Sequence, residues 1–154
     1  MMNKFLIFFL LTMICPQYAM ADNALLDKNR SYSGAEVDKD SYKAIYQLDS
    51  NNPDIIRKAI RNIKNLMNDP RLKDKLQVEL IAFAGGTDAM LKTSDYGDAL
   101  RELVSMGVIV AQCENSLKER RLDKSQLHDF LGYVPTANGE LVIRASEGWV
   151  IIKP

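Results

Sequence analysis

Cys113 is the strongest nucleophile in the chain once its first residues are set aside. It stands where an apolar run, Val108-Ile-Val-Ala-Gln-Cys113, meets a short charged segment, Glu114-Asn-Ser-Leu-Lys-Glu-Arg-Arg121. In an α/β protein this junction puts a thiol at the end of a strand and the start of a helix. Unpaired N–H groups and the positive end of the helix dipole there favour thiolate over thiol. Asn115 and Ser116 are candidate donors to the sulfur, and Arg120 or Arg121 are candidates to recruit an anionic sulfur donor. The same position also suits a cysteine that only packs as a small apolar side chain.

Ligands of open parallel sheets gather outside the carboxyl ends of the strands. Two further segments converge there, Gln47-Leu-Asp49-Ser50 and Ala84-Gly85-Gly86. Asp49 reads as a proton acceptor or a plain turn residue. Gly85 and Gly86 read as a close backbone approach to a ligand or to the sulfur, or as a tight turn. His128, the one histidine, lies in a short polar stretch and is expected at the surface. One cysteine and one histidine do not make a metal site, and Gly-Gly-Thr lacks the glycine spacing and lysine of a phosphate loop. No metal or cofactor is therefore expected.

The beginning of the chain reads as an export signal over residues 1–21. Lys4 precedes an apolar stretch from Phe5 to Cys15, and Ala19-Met20-Ala21 has the form of a cleavage site before Asp22. The apolar stretch is about 11 residues, short of the roughly 20 that span a membrane. Removing 21 of the 154 residues leaves 133, enough for one domain with a real core. Lys4 leaves with the signal, so the formal charge moves from 0 to about −1, without the basic excess of nucleic-acid binders. Cys15 leaves too, so Cys113 has no intramolecular disulfide partner, although exported proteins live where disulfides form. A periplasmic or secreted protein is expected, free of the membrane after cleavage.

Residues 22–40 are polar and without period, and read as a flexible arm. From there strands and helices alternate. Tyr42–Leu48 is β-prone. Asn52 caps a helix that starts at Pro53 and carries Ile56, Ala59, Ile60, Ile63 and Met67 on one face. Leu76–Phe83 reads as a strand buried on both faces. Ser94 or Asp95 is expected to cap a helix closed by Gly107. After Cys113 come a helix to about Arg121, a capping box at Asp123–Gln126, and a minimal strand at Tyr133-Val134. Thr136 caps a helix with Ala137, Leu141 and Ala145 stacked, and Trp149–Ile152 is a last strand. Such alternation implies βαβ units and a parallel sheet with helices on both faces.

The ordered set of segments resembles the DsrE/DsrF-like family, as a single-domain, exported member over residues 41–154. The resemblance rests on Ala44-Ile-Tyr-Gln-Leu48, Ile60-Arg-Asn-Ile-Lys-Asn-Leu-Met-Asn-Asp-Pro70 and Val78–Phe83 with its glycine turn. Leu103–Gly107, Cys113-Glu-Asn-Ser-Leu117, Val134–Leu141 and Glu147-Gly-Trp-Val-Ile-Ile-Lys-Pro154 carry the rest. It implies a three-layer α/β/α fold with a mainly parallel sheet of about five strands, and assembly into homotrimers or hexamers. In sulfur-relay members a cysteine matching Cys113 accepts sulfur as a persulfide from a donor protein and passes it on. This chain has Phe83-Ala-Gly-Gly86 where related chains often have a His-Gly-Pro-Gly-like turn. A periplasmic sulfur carrier acting through Cys113 is the expected function. The alternatives are a non-catalytic oligomeric binding module in which Cys113 packs, and a thiol redox sensor.

Overall fold

The computed structural model describes residues 16–154. The apolar stretch of the expected signal, Phe5 to Cys15, lies outside the described residues. The chain divides into two compact units at Glu36 and Val37.

In the first unit, helix α1 runs over Pro16–Arg30, and its residues from Asn23 onward are exposed. Residues 22–30, the first part of the expected N-terminal arm, are thus helical. Pro16 sits at the helix start, and no Gly, Val, Ile or Thr interrupts the residues that follow, so intrinsic propensity favours a helix. Lys28 and Arg30 complement the negative end of the dipole. The helix lacks an apolar stripe, and so leaves no periodic trace in the sequence. Irregular chain follows from Tyr32.

The second unit is a three-layer α/β/α domain. Its strands are β1 (Tyr42–Leu48), β2 (Leu76–Ala82), β3 (Ile109–Cys113), β4 (Gly132–Val134) and β5 (Val150–Ile152). They form one five-stranded sheet in the order β4-β3-β2-β1-β5, with every pairing parallel. The helices are α2 (Pro53–Met67), α3 (Gly97–Ser105), α4 (Glu114–Arg120) and α5 (Ala137–Ser146), with 3-10 turns at Ala84–Met90 and Lys124–Gln126.

Strand alternation divides the apolar residues between two cores. Ala44, Tyr46, Leu48, Val78, Leu80 and Val110 face α2 and α3, which bury Ile56, Ala59, Ile60, Ile63, Leu100 and Leu103 against them. The opposite face holds a smaller core of Ile45, Ile81, Ala111, Cys113 and Trp149, covered by Ala137 and Leu141 of α5. Helix α2 starts as its sequence dictates, with Asn52 Oδ1 accepting from Asp54 N–H at 2.9 Å ahead of Pro53. Helix α3 departs from expectation. Ser94 Oγ donates to Ala89 O at 2.8 Å inside the preceding loop, and the helix begins only at Gly97 without a side-chain cap.

A second departure lies on α5. Ala145 is exposed, and Arg144 occupies the inward position after Leu141. The reason is Glu79 in the middle of β2, only 1% exposed. Its carboxylate accepts from Arg144 Nε at 2.8 Å, and Arg144 also pairs with Glu140 and Glu147 and lies 4.3 Å over the Trp149 ring. Burial pushes the Glu79 carboxyl above its usual range, and the Arg144 guanidinium opposes that push.

Gly86 and Gly132 separate a required glycine from a replaceable one. A Cβ on Gly86 would lie 2.0 Å from Leu48 O, a backbone atom that cannot swing aside, whereas one on Gly132 would meet nothing nearer than 3.6 Å. Gly86→Ala is therefore expected to cost about 3 kcal/mol by overpacking. Gly132→Ala is expected to stay within about 0.5 kcal/mol. Urea unfolding midpoints of the two variants check both values.

Candidate functional site

Cys113 closes β3 and stands at the cap position of α4, with extended backbone (φ −70°, ψ 118°). Its pairing with Val134 brings the end of β4, Pro135 and the first turn of α5 beside it. The neighbourhood is tied by Asn115 N–H donating to Pro135 O at 3.2 Å. Thr136 Oγ1 accepts from Gly139 N–H at 3.1 Å and starts α5, so Ala137 N–H is free of the helix ladder and points out of its end. That N–H donates to Cys113 Sγ at 3.3 Å.

The second donor is Ser116, in the first turn of α4. Its Oγ accepts from Ala84 N–H at 3.0 Å, which leaves the hydroxyl proton for the sulfur. Ala84 itself has φ 45°, in the left-handed region that L-residues enter at a cost. Arg120 holds it there, donating to Ala84 O at 3.0 Å and pairing with Asp88. A continuous chain thus runs from Arg120 through Ala84 and Ser116 to Cys113.

Cys113 is 4% exposed, in apolar surroundings. Burial pushes its thiol up. The Ser116 hydroxyl and N–H, with the N–H groups of Ala137 and Asn115, outweigh that push and hold the thiol below its ordinary value. A sulfur so placed can act as a thiolate nucleophile or carry a charged sulfur adduct.

The structure sorts the sequence candidates. Ser116 meets Cys113 through hydroxyl and backbone. Asn115 contributes its N–H alone, because its side chain donates to Glu119 at 2.8 Å on the exposed face. Gly85 and Gly86 do not serve the sulfur. They lie in the 3-10 turn against the β1–α2 loop, where Cβ atoms would strike Asn51 N and Leu48 O. Asp49 binds Lys153 Nζ at 2.8 Å, tying that loop to the end of the chain. Arg120 is committed to Asp88 and Ala84 and is not free to recruit an anion. His128 is half-buried rather than at the surface, because the absence of a side chain on Gly97 lets its ring pack inward and stack on Phe130 at 5.3 Å. Its neighbours Leu127 and Phe130 belong to the first core, and Cys113 belongs to the second.

Two contributors were not foreseen. Ala137 has no side chain to signal a role, and only its place after a capping threonine marks a free N–H. Gln112 is fully buried, donating to Thr87 Oγ1 at 3.1 Å and to Cys113 O at 2.9 Å, and fixes the backbone at the site from the opposite face. Among the described residues no group of three or more His, Cys, Asp or Glu is placed to hold a metal ion, and no helix is long and apolar enough to cross a membrane.

Fold and site together define an α/β protein with a hydrogen-bonded thiol at the carboxyl edge of a parallel sheet. No family model and no curated protein matches the chain. Among solved structures it is similar to a protein of unknown function, MTH1491 from Methanobacterium thermoautotrophicum. The two share 27% identity over 74% of this chain and 100% of that one, with a TM-score of 0.70.

Removing the Ser116 hydroxyl should weaken the thiolate. Ser116→Ala is expected to move the pH midpoint of Cys113 alkylation upward, from a wild-type midpoint below that of a free thiol. Rates measured against pH, read at the Cys113 peptide, check it; identical profiles would remove the hydroxyl from the site.

Proposed function

We propose that the protein is a DsrE-like carrier of sulfane sulfur, exported and acting through a persulfide on Cys113. The observation that supports this reading is a sulfur buried to 4% exposure and still held below its ordinary pKa by converging donors. A cysteine needed only for packing gains nothing from them. In the proposed step the Cys113 thiolate attacks the outer sulfur of a persulfide, R–S–SH. One S–S bond forms, one breaks, and RS⁻ leaves, giving Cys113–S–SH with no net oxidation. An acceptor thiolate attacks the outer sulfur in turn and restores the Cys113 thiolate. Donors at the cap of α4 and the start of α5 stabilise the charge on Sγ before and after each transfer. The acceptor must come from another molecule, because the domain has no second cysteine.

The burial of Sγ favours a second reading, a binding module in which Cys113 packs. Treatment with polysulfide separates the two. The carrier gains the mass of one sulfur atom at the Cys113 peptide, reversed by a small thiol and absent in Cys113→Ser; no gain in the folded protein overturns the relay.

Self-association is part of the proposal. Val142, Ile143 and Ile151 are exposed apolar residues on α5 and its neighbouring edge strand, a pattern suited to contact with another copy. Light scattering after size exclusion should give a multiple of the chain mass, lowered by Ile143→Lys.

A further inference from the structure

We infer that Arg144, seated on Glu79, is a positioning residue for Cys113 and acts through helix α5. This rests on the reading of Cys113 as a working thiol and names what sets its reactivity.

Ala137, Leu141 and Arg144 are spaced i, i+4, i+7, and so form one stripe facing the sheet. Their rise places Ala137 and Arg144 about 10 Å apart along the axis. At one end of the stripe Ala137 N–H meets Cys113 Sγ at 3.3 Å, and at the other Arg144 meets Glu79 at 2.8 Å. The flank of α5 away from the stripe is open, with Val142 69% and Ile143 54% exposed. Between the two polar ends only Leu141 and the small Ala137 pack inward. Apolar contacts of that kind tolerate rotation about the helix axis, whereas a guanidinium on a carboxylate does not. With backbone atoms about 2 Å from the axis, a rotation of roughly 30° moves an N–H by about 1 Å, enough to lose a contact to sulfur.

The choice of residues supports a directional role. Glu79 could be any aliphatic residue if β2 needed only packing there, since its strand neighbours Val78, Leu80 and Ile81 are all buried apolar residues. A buried carboxylate with its cation is costly to desolvate and adds little net stability, but it fixes geometry. The charged groups on the elements packed against Cys113 are engaged elsewhere. On α4, Glu114 pairs with Lys124 and lies near Lys118, Glu119 accepts from Asn115, and Arg120 pairs with Asp88. On α5 and just past its end, Glu140 and Glu147 pair with Arg144. The influence of Arg144 on the thiol therefore passes through the position of the helix and not through a direct charge.

The test is the pH profile of Cys113 alkylation in the full chain, read at the Cys113 peptide, with unfolding midpoints measured alongside. Arg144→Met leaves Glu79 buried without its cation and can fail to fold, so Glu79→Leu/Arg144→Met, which removes both charges, is the deciding variant. Glu79→Gln keeps an acceptor for Arg144 and should resemble wild type. In the double variant the rate near neutral pH, relative to its own alkaline plateau, should fall roughly threefold to fivefold, the share of one hydrogen bond among several. The plateau itself should rise as the cover over the sulfur loosens. A double variant that folds and gives a profile superimposable on wild type overturns the inference. No sulfur donor enters this measurement, so persulfide formation can fail while the positioning holds, and the reverse.

Discussion

A sulfur enclosed by apolar side chains stays protonated unless hydrogen-bond donors reach it, and the rest of the site depends on how this fold brings them. They come from separate stretches. Ser116 and Asn115 follow Cys113 directly, Ala137 comes 24 residues later, and Ala84 orients the Ser116 hydroxyl from the end of β2. Only parallel pairing joins them. Because β2, β3 and β4 all point the same way, their carboxyl ends and the turns that follow lie on one edge. The register Cys113↔Val134 then places the start of α5 beside the sulfur. A slip of one residue would turn the Cys113 side chain to the other face and out of this arrangement.

The two faces of the sheet are held by different physics. On one, α2 and α3 present apolar stripes to a broad core, and burial alone suffices to fix them. On the other, α5 is the helix of this domain that contributes buried residues, and its apolar contact is narrow. There the structure relies on directional contacts: the Thr136 cap, the Ala137 N–H on sulfur, and Arg144 on Glu79 over the Trp149 ring. Glu79 and Cys113 respond to pH in opposite senses. The raised Glu79 pKa means that the fold binds this proton more tightly than the unfolded chain, so the contribution is present below the unfolded pKa and lost as pH rises through the folded one. The lowered Cys113 pKa contributes above the unfolded pKa and is lost as pH falls through the folded one.

What could be read from the sequence follows the same division. Elements that face the broad core announced themselves: Tyr42–Leu48 and the amphipathic α2 with its Asn52 cap and Pro53 stand where periodicity and capping place them. So did Thr136 and the Asp123–Gln126 capping box, because caps act over three or four residues. Helix α1 left no periodic signal, and its residues from Asn23 onward are exposed. Glu79 was legible only as one polar residue in an apolar strand, and its demand for Arg144, 65 residues away, turned α5 away from the Ala145 face. At the site, Cys113 and Ser116 were legible from local spacing. The Ala137 N–H was not, since a backbone donor carries no residue signature. Asp49, Gly85 and Gly86 lie at the expected edge of the sheet, but their partners are Lys153 and the β1–α2 loop.

The donor that stabilises the sulfur is also part of what covers it. Ala137 N–H reaches Sγ because the first turn of α5 lies on Cys113, and Ala137 is itself buried there. For the relay proposed above, a sulfur donor has to approach Sγ without displacing both Ser116 and Ala137, or the thiolate is lost at the moment of attack. Ser116 is anchored through Ala84 and Arg120, on the side held by the Asp88 pair. The α5 side is held by its Thr136 cap, by Asn115 N–H on Pro135 O, by the buried Ala137 and Leu141, and by the distant Arg144. The two donors therefore differ in their surroundings: the Ser116 hydroxyl lowers the thiol pKa from an anchored turn, whereas the Ala137 N–H does so from a helix start that also covers the sulfur.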